Sequence, residues 1–159
     1  MESNLPHTVA DIIRWLLITI GQGTDPNDND TPELRIWPVH AKSEPDSPDD
    51  CITVYSTSGT LDGQSPHDSS LWDRHGWQVR VRGRTHHSGY QKANNIRNTL
   101  AAVYWQTITV QDPGGTIETD YRVERVNIDG QVNDLNREQP TSGRYVFTIN
   151  GVATIDPNP

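Results

Sequence analysis

"WQVRVRGRTHHSGYQKANNIRNTL", residues 77–100, changes its apolar period midway, and that change decides the fold. In the first half Trp77, Val79 and Val81 alternate with Gln78, Arg80 and Arg82, the two-residue repeat of a half-buried strand. In the second half Tyr90, Ala93, Ile96 and Leu100, continuing to Ala101 and Tyr104, follow the three-and-four spacing of a helix with one apolar stripe. Ser88, with Gln91 three residues on, predicts a capping box and a helix over residues 88–103. That helix should lay Ala93, Ile96 and Leu100 on the sheet face carrying Trp77, Val79 and Val81.

On the N-terminal side, Val9, Ile12, Ile13, Leu16, Leu17 and Ile20 predict an amphipathic helix. Thr8 and Asp11 are placed to cap it, and Gly21 with Gly23 to end it. "LRIWPV" (34–39) reads as a short strand that Pro38 confines to a sheet edge. "CITVYS" (51–56) is a β-branched strand, set between a polar loop over 41–50 and a long one over 57–76. Beyond the second helix, "TITVQ" (107–111), "GTIETDYRVERVNI" (115–128) and "GRYVFTINGVATI" (143–155) are strand-like, the first two joined at a "DPGG" turn. The last should turn Tyr145, Phe147 and Ile149 to one face. The order α, β, β, β, α, β, β, β predicts an α+β fold: a mostly antiparallel sheet packed against two helices, with long polar loops. At 159 residues the chain is expected to form one domain over 1–159, burying roughly two-thirds of its unfolded surface.

Composition narrows the function. A formal charge of −8 opposes a partner held mainly through phosphates, whose affinity comes from Lys and Arg displacing counterions. The charge is uneven: residues 25–73 carry 11 acids against Arg35 and Lys42, a net of −9, while residues 74–97 carry six basic side chains and no acid. Such a dipolar chain can pair with copies of itself. Cys51 is the single cysteine, so neither an intrachain disulfide nor a thiolate zinc cluster can form, and a reducing cytoplasm suits it. The apolar run 15–20 is too short to span a bilayer.

No constellation for catalysis, cofactor or metal emerges. His75, His86 and His87 lie near Asp73, yet no pair has the spacing that sets two imidazoles on one helical face, and His86 and His87 precede the expected cap. "DPNDND" opens like a calcium loop at Asp25, Asn27 and Asn29 but has Asp30 for the glycine and Ile36 for the closing glutamate. No nucleophile elbow or phosphate-binding glycine loop is present. Arg80, Arg82 and Arg84 remain, about 7 Å apart along one strand face. They could follow a phosphate backbone, form a solvated outer face, or meet the acidic loops of a neighbouring subunit.

The capped N-terminal helix, the "IWPV" strand and "WQVRVRG" followed directly by "SGYQKANNIRNTL" together resemble the tail terminator and minor capsid proteins of long-tailed bacteriophages. The closing "GRYVFTINGVATI" is similar to the last strand of those proteins. The resemblance implies a virion protein that forms a hexameric ring at the head-proximal end of the tail and is made in the host cytoplasm. It also implies that the ring stops tube polymerisation and presents a surface to the head. The implied partners are the chain itself, the major tail tube protein and a head-completion protein, with DNA passing through the lumen without specific binding. On that reading the interface would draw on Arg80, Arg82, Arg84, His86 and His87 against Asp25, Asp28, Asp30, Asp68 and Asp73. Another head-tail connector, or a small nucleic-acid-binding module using the arginine strand, are the alternatives.

Overall fold

A reciprocal cap starts the first helix, α1 (Val9–Thr19), as the sequence predicts: Thr8 Oγ1 accepts from the Asp11 amide, and the Asp11 carboxylate accepts from the Thr8 amide. Gly21, at φ +78°, carries the chain out of the helix in a conformation that costs glycine little. This computed structural model describes residues 5–27, 36–64, 71–112, 114–137 and 143–157, with the backbone alone for 60–64, 71–73 and 136–137.

Seven strands follow among the described residues: β1 (Val39–Ala41), β2 (Cys51–Gln64), β3 (Leu71–Gly83), β4 (Tyr104–Gln111), β5 (Glu118–Ile128), β6 (Asn133–Arg137) and β7 (Tyr145–Asp156), with α2 (His86–Ala101) between β3 and β4. They form one sheet in the order β1-β2-β3-β7-β5-β4, with β6 paired to β7. Only β1 with β2 is parallel; every other pairing between these strands is antiparallel. The fold is therefore α+β, as expected. β7 is the spine: its residues 145–153 pair with β3, while its other edge takes β6 along 145–148 and β5 along 151–156.

The alternation read from "WQVRVRG" sets the inner face. Cross-strand rows Ile52–Val81–Phe147 and Val54–Val79–Ile149 are fully buried, and both helices lie on them. α2 packs through Ala93, Ile96 and Leu100 against β3, β5 and β7. Its approach is very close: a Cβ on Gly89 would stand 2.7 Å from Phe147 Cε2, and one on Gly83 would meet the Gly89 Cα at 2.7 Å. The two glycines flanking the strand-to-helix turn are thus required by contact distance. α1 packs on β1, β2 and β3 and also on β4, from opposite ends of the strand order, so the sheet curls around it.

Four local expectations change. Residues 57–76 were expected as a loop, but among the described residues pairing extends β2 to Gln64 and β3 back to Leu71 with register shifts, residues 65–70 lying outside the described residues. The helix start moves to Thr85, whose side chain accepts from the Ser88 amide at 3.1 Å, so His86 and His87 are its first two residues instead of preceding it. Of the expected "LRIWPV" strand, Leu34 and Arg35 lie outside the described residues, Pro38 makes a single bridge to Thr24, and β1 begins only at Val39. Tyr104, read on the helix stripe, starts β4 and is exposed, as is Ala101.

Candidate interaction surface

The outer face of β3 is not an open basic stripe. Loop 42–50 folds back over it, because a row of strand arginines and a run of acids and backbone carbonyls satisfy each other there. Arg82 is only 2% exposed; its Nε and Nη2 donate to the carbonyls of Asp49 (3.2 Å), Pro45 (2.7 Å) and Pro48 (2.8 Å), and Nη1 lies 3.8 Å from Glu44. Arg80 Nε stands 3.3 Å from Glu44 Oε1, near enough for an ion pair though not aligned as a hydrogen bond. Arg144, from just before β7, donates to Asp49 Oδ1 at 2.9 Å and to the Asp46 carbonyl at 2.8 Å. Arg84 is the most exposed of the three expected arginines, its side chain 71% exposed against 28% for Arg80, with its amide on Asp50 and its guanidinium 3.9 Å from Asp49. The expected meeting of basic strand and acidic loop thus occurs inside the chain, with loop 42–50 as the acidic partner.

The remaining expected residues scatter. Asp25 accepts from Arg14 Nη2 at 2.6 Å, and the half-buried His40 feels the charges of both. Burial lowers the His40 pKa, and the Arg14 and Arg82 charges lower it further. His86 lies 2.7 Å from Asp134 of β6 and edge-on to Tyr145 and Phe147, which ties α2 to the β6–β7 pair, while His87 is exposed. Asp28, Asp30 and Asp68 lie outside the described residues, as does the side chain of Asp73, which falls opposite Leu61 in the β2–β3 ladder.

Two features escape a sequence reading. His7 bridges the Tyr121 hydroxyl, at 2.7 Å from Nδ1, and the Asp112 carboxylate on Nε2. Tyr121 is fully buried, and burial raises its pKa, so this relay anchors the turn before α1 to β4 and β5. The other feature is an exposed aromatic pair at the start of β4: Tyr104 is 74% exposed and Trp105 48%, with the Arg122 guanidinium 4.4 Å from the Trp105 ring centre. Adjacent aromatics just beyond a helix end were the available signal, masked because Tyr104 also fits the helical period.

Among the described residues no three His, Cys, Asp or Glu side chains are grouped so as to hold a metal ion. The charges of the β3 arginines are thus largely met within the chain, and it is the family comparison that gives the class of protein. The family model described as bacteriophage tail terminator protein matches residues 16–157. The chain belongs to the bacteriophage tail terminator family and is a component of the phage virion. A comparison with curated protein sequences found no match. One solved structure with 14% sequence identity aligns with 81% of this chain and 86% of its own, at a TM-score of 0.42.

Proposed function

We propose that the chain assembles into a ring, hexameric as the family resemblance implies, at the head-proximal end of the tail. There it stops growth of the tube and offers the surface to which the head is joined. The match of the family model over residues 16–157 carries this reading, and the internal pairing of the arginines supports it against the nucleic-acid alternative. With Arg82 enclosed and Arg80 facing Glu44, the strand has no row of free cations to track a phosphate backbone. An acidic chain also suits a lumen that DNA must traverse without sticking.

Assembly of tails with and without the protein tests the reading. Omission should give tubes of uncontrolled length that fail to join heads, and adding back the purified chain should restore a sharp length. Tubes of normal length in its absence would overturn the capping role. Ring stoichiometry is read by electron microscopy of the capped ends.

A further inference from the structure

An edge strand without a guard is the least explained feature of the surface. β4 reads "YWQTITVQ": eight residues with no charge and no proline, paired on one side with β5 and on the other with no strand among the described residues. Natural sheets blunt such edges with lysine, proline, brevity or a covering segment, because an open row of amide and carbonyl groups recruits other chains. The opposite edge of this sheet is blunted: β1 is three residues long, follows Pro38, and its Val39 amide is already taken by the Thr24 carbonyl. β4 has none of these devices.

One of the three non-glycine residues with positive φ among the described residues, with Trp37 and Lys42, lies on the same strand. Trp105 takes φ +50°, a left-handed conformation that is costly for an aromatic side chain, across from Glu124 where the β5–β7 register slips between Val123 and Arg125. Its exposed indole lies 5.9 Å, ring to ring, from Tyr104, which with Arg97, Ala102 and Arg125 lines a groove of about 510 Å³. Neither Arg97 nor Arg125 makes an ion pair among the described residues. At the Tyr104 end of this uncharged edge, two solvent-facing aromatics and two cations without an ion-pair partner form one surface whose complement is an acidic protein surface, while at the far end Asp120 and Glu118 of β5 accept from Thr109 and Gln111.

We infer that β4, with Tyr104 and Trp105, is the surface on which a second copy of this chain docks. The inference rests on the ring reading and names its contact. Charge selects the occupant: the chain has 21 acidic side chains against 13 basic, and loop 42–50 has already engaged Arg80, Arg82 and Arg144. Arg97 and Arg125 are therefore cations left for the acidic surface of a neighbour. Contact between two different patches, an edge on one copy and an acidic side on the next, is the head-to-tail geometry that closes into a ring.

The test uses the whole chain, free and bound to purified tail tubes. A photo-crosslinking residue at Thr107, exposed at the middle of β4, should give a product of twice the chain's mass. Thr107→Lys puts a charge on the edge, and Trp105→Gly removes the indole while glycine accepts the same φ without strain. Both variants should melt within a few degrees of the parent yet need at least about tenfold more protein to assemble. Should Thr107→Lys fail to fold, Trp105→Gly and the crosslink decide alone. Crosslinks to the tube protein only, or variants that assemble like the parent, would overturn this contact and leave the ring reading standing. A parent chain that stays monomeric even on tubes would overturn both.

Discussion

Arg82 occupies a socket of three backbone carbonyls contributed by a loop more than thirty residues earlier in the chain. Removing it would leave those carbonyls unpaired beneath loop 42–50 and take a counter-charge from Glu44. We predict that Arg82→Ala lowers stability by about 3–5 kcal/mol, the cost of breaking a buried charged network, measured by urea denaturation. Arg84→Ala, two residues on, should change it by less than about 0.5 kcal/mol because that side chain is mostly in water. The identical residue type at period two thus has opposite weight. His40 gives a second contrast, in pH. Burial and the Arg14 and Arg82 charges lower its folded pKa below the ordinary 6.5, so the unfolded chain binds the proton more readily. Its contribution to stability should be level above about pH 6.5 and fall as pH drops toward the lowered folded value. His40→Gln should flatten that part of a stability-versus-pH curve, and an unchanged slope would place the titration elsewhere.

Among the elements, α2 shows how far local signals reach. Thr85→Ala should cost about 1 kcal/mol by removing the cap, read from the midpoint of thermal or urea unfolding. Ile96→Asp should cost several times that, because a carboxylate would enter the layer between helix and sheet without a partner. The body of this helix was legible because its apolar stripe repeats over three turns. Its start was not, since Thr85 with Ser88 and Ser88 with Gln91 both have cap spacing, and only the turn out of β3 selects the first. α1 was read correctly to its caps because every signal there is local. β6 (Asn133–Arg137) could not be read at all: a five-residue polar strand exists only because β7 offers it an edge. The far ends of the paired β2 and β3 pass through serine, glycine and aspartate for the same reason, pairing having overridden propensity. The basic stripe was visible, and its phase was right, but the loop that encloses it depends on a long-range fold-back with no periodic trace.

Across the whole molecule, one core runs from α1 through the curled sheet to α2, and β7 connects its parts by pairing with β3, β5 and β6. Most of this pairing joins residues far apart in sequence, such as Val79 with Ile149. A domain with this topology should refold in about milliseconds to seconds, like other β-rich domains dominated by distant contacts, which stopped-flow tryptophan fluorescence would check. The spine is also the last described strand to be synthesised. Until residues 145–156 leave the ribosome, β3 and β5 lack their shared neighbour and the sheet cannot close. A finished surface therefore arrives late and all at once for each molecule, so a truncated or still-nascent copy has none to offer to any neighbour.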